Sequence, residues 1–184
     1  MHTAHTITRL SADHFHDNLH ALATLLSEVV TDGASLGFLT PFDHTAASTW
    51  WNEHAPALTE GTLIIWTAHH DGRTEATISL AFEPKPNGRH RAEILKLMVH
   101  PRARGRGLAR RLLTTAEHAA AQAGADLLLL DTETGSPAEH LYHATGWTRY
   151  GIVPGYATDP SGVLRDCSFF YKRLTPTGGG HAPQ

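Results

Sequence analysis

One junction constrains the fold of this chain more than any other feature: a strand-like run passes through glycines into a helix-like run. Residues 91–99 read RAEILKLMV, which predicts a strand ending in Met-Val, and a helix-forming run begins at Leu108. Gly105 and Gly107 lie between the two. Such a turn directs several free backbone N–H groups at one point, the positive end of the helix dipole. The junction therefore predicts an anion site with room for a diphosphate, because glycine adds no side chain.

Two other kinds of glycine loop fit this junction less well. A dinucleotide-binding loop reads G-x-G-x-x-G and opens the first strand–helix unit, whereas this loop lies in the middle of the chain. A Walker loop needs Gly-Lys-Ser/Thr, but Leu108 and Ala109 follow Gly107. A tight turn that binds no ligand is the remaining alternative.

Arginines are concentrated beside this turn, at positions 102, 104, 106, 110 and 111, although the chain has a net charge of −3. A solvated helix start or a nucleic-acid patch would also produce such a cluster, but a negatively charged chain is a poor nucleic-acid binder. A polyphosphate ligand explains the cluster better, because the arginines flank the amide groups that would bind the same anion. We therefore expect no nucleic-acid partner.

The length and composition predict one globular domain over residues 1–174, followed by a flexible tail over residues 175–184 that is rich in Gly and Pro. No apolar run reaches the ~18 residues of a membrane span, and the N-terminus lacks the apolar part of a secretory signal. The single cysteine, Cys167, suits a reducing compartment. We expect a cytoplasmic protein without a membrane partner. The fifteen histidines include no HExxH motif, so we expect surface histidines and no metal.

Hydrophobic periodicity predicts an α/β fold (a mixed α+β sheet) with the order β-α-α-β-β-β-α-β-α-β-β. The expected strands are residues 6–10, 63–69, 74–82, 90–99, 127–131, 147–153 and 167–172. The expected helices cover residues 15–31, a segment ending near 54, residues 108–123 and a segment ending at 146. Predicted caps are Ser11 or Asp13, Asp43 or Thr45, and Ser136 at the helix starts, and Gly124 after the third helix.

Two motifs in this order resemble the GNAT superfamily of N-acetyltransferases over roughly residues 5–174. The first is R-x-x-G-x-G at residues 102–107, which resembles the acyl-CoA pyrophosphate loop of that family, and the second is LYHATGW at residues 141–147. The resemblance implies the GNAT acyl-CoA N-acyltransferase fold, a mixed sheet of about seven strands flanked by about four helices. It also implies an enzyme, an acetyl-CoA-dependent N-acetyltransferase, with acetyl-CoA as co-substrate and no metal.

The same resemblance implies which residues bind the cofactor and assist the leaving group. In GNAT folds a bulge near Met98 and Val99 splays two strands, and backbone groups there hold pantetheine and polarise the thioester carbonyl. Tyr142 would assist the departing thiolate, with a purely structural core role as the alternative. The expected cofactor-binding residues are Met98, Val99, Arg104, Gly105, Arg106, Gly107, Leu108, Ala109 and Ser136.

Several segments look more specifically like the tabtoxin resistance protein subfamily, whose members acetylate a small amino-acid-like β-lactam toxin. They are residues 33–38, 85–88, 91–93, 96–99, 131–133 with 135–136, and 154–156. The resemblance implies a detoxifying enzyme in which Glu93 and Asp131 bind the acceptor and accept its proton. The alternatives are that Glu93 pairs with Arg91 or Lys96 and that Asp131 caps a turn.

The acceptor pocket is expected to lie beside these acids, under a lid formed by residues 33–38 and 85–88. Its expected residues are Ser35, Phe38, Trp50 and Glu133, with Trp51 as a further candidate; a core role is the stronger interpretation for Phe38 and for at least one tryptophan.

Three functions are left open by the sequence. The leading one is acetylation of a small amino-acid-like antibiotic or toxin, and the alternatives are a protein N-terminal or lysine acetyltransferase and a non-catalytic acyl-CoA sensor. The expected partners are acetyl-CoA and a small amine acceptor. A homodimer is an option that the sequence does not decide.

Overall fold

The structure, a computed structural model, describes residues 5–175, so the predicted tail lies outside the described residues except for Thr175. In chain order the elements are β1 (Thr6–Arg9), α1 (Phe15–Thr31), α2 (His44–Glu53), α3 (Ala55–Thr59), β2 (Leu63–His70), β3 (Arg73–Phe82), β4 (Arg91–Val99), α4 (Leu108–Gln122), β5 (Leu127–Glu133), α5 (Pro137–Ala144), β6 (Thr148–Thr158) and β7 (Leu164–Arg173). Within this range no helix is both long enough and apolar enough to span a membrane.

The strands form one sheet of seven in the order β1-β2-β3-β4-β5-β7-β6. Only β4 and β5 pair in parallel, and the other described neighbours are antiparallel. The predicted mixed α/β fold and all seven predicted strands are therefore confirmed. The parallel pair is joined by α4, as a crossover between parallel strands requires.

Each face of the sheet has its own hydrophobic core, because successive side chains of a strand point to opposite faces. On one face, Leu112 and Leu113 of α4 pack with Leu128 and Phe170 of the central strands. On the other, residues of α1 and α2 pack with β2 in a cluster that contains Trp51, which is fully buried. The cores fix α4 and α1 on opposite sides of β4.

The helices differ from the sequence expectation in number and in one cap. The structure has one helix more than expected, α3, which was missed because Pro56 resembles a helix breaker. Pro56 lies in the first turn of α3, where its missing N–H breaks no helical bond. The predicted cap of α1 was wrong: a 3-10 turn over Ala12–His14 precedes α1, and the hydroxyl of Ser11 bonds to the ring of His14. The caps expected at Asp43, Ser136 and Gly124 are confirmed.

The last hairpin is longer than predicted. β6 continues to Thr158, and a register shift between Val153 and Ala157 accommodates Pro154 and Gly155. Proline is tolerated there because β6 is an edge strand, where a missing N–H removes no bond to a neighbour. The extension brings residues of this hairpin to the mouth of the cleft described next.

Candidate functional site

A cleft opens where the parallel strands β4 and β5 separate. The two strands pair only between Arg91–Glu93 and Leu127–Leu129. Beyond these residues the edge of β4 that faces β5 has no strand partner, so its backbone polar groups are available to a ligand that extends the sheet. The C-terminal half of β4 therefore forms one wall of the cleft.

A β-bulge in β4 accompanies this separation. Thr77 and Ser79 of β3 are two residues apart, but their partners Met98 and Leu95 are three apart, so β4 carries one extra residue. Lys96 lies in the bulge with φ of 49°, one of two described non-glycine residues in the left-handed region. The bulge implied by the family resemblance is therefore present.

The bulge also changes which β4 side chains face each side of the sheet. Before it, Ala92 and Ile94 pack into the core on the α4 side; after it, Leu97 and Val99 do so. Odd-numbered and even-numbered positions have exchanged faces. As a result Lys96 projects from the face that α1 and α2 cover.

The cleft has a volume of about 890 Å³ and is shared by four parts of the chain. These parts are the segment after α1, the end of β4 with the loop into α4, the end of β5 with the start of α5, and the β6–β7 hairpin. Its lining includes Ser35, Met98, Val99, Arg104, Gly105, Gly107, Leu108, Ala109, Asp131, Glu133, Ser136, Tyr142, Tyr156, Arg165 and Cys167.

The loop before α4 presents free amide groups to one end of the cleft. Gly105 and Gly107 both have left-handed φ angles, of 76° and 73°, and Gly107 is the N-cap of α4. Among the described residues, none accepts a hydrogen bond from the N–H groups of residues 105–110. α4 is 15 residues long, so its dipole adds to these amides at the same point. The arrangement is a nest for an anion.

Ion pairs hold this loop against the rest of the fold. Arg104 pairs with Asp32, just after α1, at 2.7 Å, and His100 lies 2.9 Å from Glu28 of α1. Arg102 pairs with the buried carboxylate of Glu75 at 2.9 Å. The amide nest is thus fixed in position from two elements before any ligand binds.

Glu75 also belongs to the one group of described residues with metal-ligand spacing, which contains His5 and His70. Burial opposes ionisation of Glu75, but hydrogen bonds and charges from His5 and Arg102 lower its pKa. The guanidinium of Arg102 already supplies the positive charge at this carboxylate. Anchoring of the loop before α4 therefore explains why His5, His70 and Glu75 lie close together.

The comparisons with known proteins agree with this geometry. The family model described as acetyltransferase (GNAT) family matches residues 27–147, a span that holds β4, the amide nest and the start of α5. The chain belongs to the GNAT family of acetyltransferases. The enzyme class predicted from the sequence, an acetyl-CoA-dependent N-acetyltransferase, is the class of this family.

Solved structures of similar fold cover nearly all of this GNAT acetyltransferase. An N-acetyltransferase from Staphylococcus aureus Mu50 is 16% identical with a TM-score of 0.77, over 94% of this chain and 100% of that one. The yncA protein of Salmonella typhimurium, solved with its cofactor acetyl-CoA, is 18% identical with a TM-score of 0.75, over 98% and 100%. A ribosomal-protein-alanine N-acetyltransferase from Brucella melitensis is 22% identical with a TM-score of 0.73, over 92% and 99%. At these identities the likeness establishes the fold.

At the other end, the cleft is lined by Asp131, Tyr142 and Cys167. The thiol of Cys167 donates to Oδ2 of Asp131 at 3.3 Å. Burial, followed by the charge of Asp131, raises the pKa of the Cys167 thiol to about 12 and also raises the pKa of Tyr142. Both groups are therefore protonated at neutral pH.

Tyr142 is both a core residue and a lining residue of the cleft. Its ring is 5% exposed and packs against Trp147 and Phe170. Among the described residues its hydroxyl has no hydrogen-bond partner, and the residue lines the cleft. The two interpretations offered by the sequence are compatible, because the ring and the hydroxyl serve different purposes.

Glu93 is placed at the edge of the site. It is the last β4 residue that pairs with β5, and it does not line the cleft. Part of the Glu93 side chain is exposed, but burial of its carboxyl raises the pKa. The negative charges of Asp131 and Glu83 raise this pKa further, and the positive charge of Lys96 lowers it. Glu93 is therefore electrostatically coupled to Asp131.

The residues expected to form the acceptor wall separate into two groups. Ser35 and Glu133 line the cleft. Phe38 and Trp50 stack edge to face at 5.6 Å between ring centroids, behind the lining, and Trp51 is a core residue.

Two other expectations find no support in the lining of the cleft. Arg106 is exposed and does not line it, and residues 85–88 form a turn between β3 and β4 that does not line it either. Of the proposed lid, only residues 33–37 border the cleft.

Sequence reasoning missed Lys96, which lines the cleft, and Glu139, which supports the start of α5. Lys96, between Leu95 and Leu97, is a charge inside an apolar strand, which is itself a signal of function. Glu139 follows Ser136 by three residues, the spacing of a capping box. Its carboxylate accepts from the N–H of Gly135, the hydroxyl of Ser168 and the guanidinium of Arg149. Burial opposes its ionisation, but these three donors lower its pKa to about 2.

Proposed function

We propose that this GNAT acetyltransferase transfers the acetyl group of acetyl-CoA to the amino group of a small amino-acid-like antibiotic or toxin, within a ternary complex. The observation that best supports the proposal is that a single cleft runs from the amide nest of residues 105–110 to Asp131. A nucleotide diphosphate fits the nest, and a carboxylate that can receive a proton lies at the far end.

The chain's own groups fit an acyl-CoA along the length of this cleft. The free N–H groups of residues 105–109 would hold the diphosphate, with Arg104 beside them. The unpaired edge of β4 at Met98 and Val99 would hold an amide-containing arm by strand-like hydrogen bonds. Ser136 lines the cleft at the start of α5.

The reaction itself requires a proton acceptor and a proton donor. An alkylamine is mostly ammonium at neutral pH, so Asp131, assisted by Glu93, would accept its proton before attack. The amine nitrogen then bonds to the acetyl carbon as the bond from that carbon to sulfur breaks, and the nitrogen releases its second surplus proton to solvent. Tyr142 would donate a hydrogen bond or proton to the departing sulfur, and a backbone N–H near Met98 would stabilise charge on the carbonyl oxygen.

Direct transfer is favoured over a covalent enzyme intermediate. The one thiol of the chain, Cys167, lines the cleft, but its pKa of about 12 leaves it protonated and weakly nucleophilic at neutral pH. We therefore propose sequential kinetics in which both substrates bind before transfer.

The choice of acceptor rests on the resemblance to the tabtoxin resistance subfamily and on the shape of the cleft. The segment 33–37 borders the cleft beside the end of β4 and narrows the space available to a long peptide. Acetylation of a protein N-terminus is the second candidate, since a fold neighbour is a ribosomal-protein-alanine N-acetyltransferase. The free hydroxyl of Tyr142 and the carboxylate of Asp131 in one cleft argue against a non-catalytic sensor.

A thiol-release assay with acetyl-CoA tests the proposal. The acceptors are phosphinothricin, an amino-acid β-lactam toxin, the protein amino acids, and short peptides with free N-termini or lysine. We expect turnover with amino-acid-like toxins and little with peptides. Preferential turnover of peptides would support the second candidate, and acetyl-CoA binding without any turnover would support the sensor.

A further inference from the structure

Lys96 holds a fixed cation at the acceptor end of the cleft. Its ammonium donates to the carbonyl of Leu36 at 2.6 Å. It also lies 5.1 Å from the ring centroids of both Phe38 and Trp50, within the range of a cation–π contact. The bulge in β4 directs the Lys96 side chain toward these groups, so the backbone conformation and the side-chain contacts both hold the ammonium in one position.

The ammonium of Lys96 keeps unused hydrogen-bonding capacity. It has three N–H donors, and one is used by Leu36. Among the described residues, no carboxylate lies within 4.0 Å of it. Burying a cation without a paired anion is costly, and a left-handed φ at a non-glycine residue adds strain. Costs of this kind are typical of residues kept for a ligand.

Asp131 is an exposed carboxylate with open acceptor positions. Its carboxylate receives the weak S–H donor of Cys167 and, among the described residues, no N–H donor. Lys96 and Asp131 line the same cleft. Burial lowers the pKa of Lys96, while the negative charges of Asp131 and Glu93 oppose that shift. A cation and an anion of the same cleft therefore both keep hydrogen-bonding capacity that no described residue uses.

Arg165, another cation that lines the cleft, is already paired. Arg165, on the β6–β7 hairpin, lies 2.8 Å from Asp159 and 4.0 Å from Glu133. At the nest end Arg104 is paired with Asp32, and Arg110 lies in the first turn of α4, beside the amide nest. Lys96 is therefore the cation best placed to meet an anionic group of an acceptor whose amine lies at Asp131.

We infer that Lys96 is a specificity-determining residue that binds the carboxylate of the acceptor while Asp131 receives its amine. The inference rests on the proposed function and narrows the acceptor to small zwitterions that carry a free carboxylate close to the amine. Simple diamines, amino-acid esters and peptides, whose carboxylate is missing, masked or distant, are poor substrates. The segment 33–37 is held over the acceptor by the same lysine.

Three probes that differ in the carboxylate alone test this inference: 2,4-diaminobutyrate, its methyl ester, and 1,3-diaminopropane. With saturating acetyl-CoA, we expect the wild type to prefer the free acid by at least tenfold in kcat/KM. Lys96→Met, of similar length but uncharged, should reduce this preference to less than threefold, with KM for acetyl-CoA unchanged. Lys96→Arg should restore part of the preference. Arg89→Met, which removes an exposed cation, is the matched control and should behave as wild type.

Each outcome of this experiment bears on a separate claim. Wild-type enzyme that acetylates the diamine or the ester as well as the acid overturns the inference and leaves the proposed function intact. If Lys96→Met loses activity equally on all three probes while its Tm is unchanged, the lysine only holds segment 33–37, and the inference is wrong. If the wild type binds acetyl-CoA but acetylates no amine here or in the toxin screen, the proposed function fails and the inference fails with it.

Discussion

The thiol of Cys167 donates its hydrogen bond to Asp131 at 3.3 Å, so the one sulfhydryl of the cleft supports the carboxylate that we propose as a base. The thiol is buried and its pKa is raised to about 12. Its protonated state fits a donor and does not fit a nucleophile.

We therefore expect Cys167→Ala to keep acetyl transfer, with kcat/KM reduced by less than about tenfold, because a weak S–H donor is lost and no covalent step is removed. Initial-rate kinetics with both substrates varied should give intersecting lines in the wild type and in the variant. Parallel lines in the wild type, with an inactive variant, would point to an acetyl-cysteine intermediate.

Gly107→Asp tests the amide nest. The added carboxylate would lie against the bound diphosphate, so we expect KM for acetyl-CoA to rise at least tenfold, which corresponds to about 1.4 kcal/mol. Gly61 has a φ of 74°, against 73° for Gly107, and lies away from the cleft. Gly61→Asp therefore carries the same backbone strain and should leave KM unchanged. Equal KM values in the two folded variants would remove the nest from the cofactor site.

Asp131→Asn and Glu93→Gln test the path of the amine proton. Loss of a general base typically lowers the rate ~10²–10⁴-fold, and acetyl-CoA binding, measured by calorimetry, should persist in both variants. A variant with wild-type kcat/KM from pH 6 to 9 would exclude its residue as the base.

The raised pKa of Glu93 gives a separate pH signature. The folded state holds the proton more tightly than the unfolded state does. The free energy of unfolding therefore falls as pH rises from the ordinary pKa of a glutamate through the raised pKa of Glu93 in the folded state. In the wild type this fall appears as a decline of Tm with rising pH, and the Glu93→Gln variant should not show it. If Glu93 is also the base, the acidic limb of the wild-type kcat/KM profile lies above the usual range for a glutamate.

Tyr142→Phe separates the hydroxyl from the ring. The ring packs against Trp147 and Phe170, so the variant should keep its Tm. Loss of the donor to sulfur should lower kcat by about tenfold to a thousandfold with KM for acetyl-CoA unchanged. Tyr142→Ala should in addition lower Tm. Full activity in Tyr142→Phe would show that Tyr142 has only a structural role.

Glu139→Gln tests the support beneath α5, which carries Tyr142. Glu139 is ionised and hydrogen-bonded in the folded state, so its contribution is present above pH 4.5 and is lost as pH falls toward about 2. We expect the free energy of unfolding at pH 7 to fall by about 2–3 kcal/mol, with the difference from wild type shrinking in acid. The exposed Glu53→Gln is the control. A constant difference across this range would contradict the assignment.

Local sequence determined the elements and the anion site. Alternating and helical periodicities locate all seven strands, and Gly105 and Gly107 before Leu108 predict the amide nest, because these signals depend on neighbours within a few residues. The same is true of the cap at Ser136. α3 was missed because a proline in the first turn of a helix reads locally as a break.

Tertiary structure alone decided which charged groups lie around the cleft. Cys167, Asp131 and Lys96 are far apart in sequence but line one cleft, because β7 and β4 flank β5. The bulge at Lys96 turns its side chain to the face of α1 and α2, and a one-residue change of register cannot be read from an apolar run. Glu93, chosen from the sequence, ends at the edge of the cleft instead, because strand pairing stops at that residue. The sequence thus determined which groups are present and in which elements, while the register and order of the strands decided which of them meet.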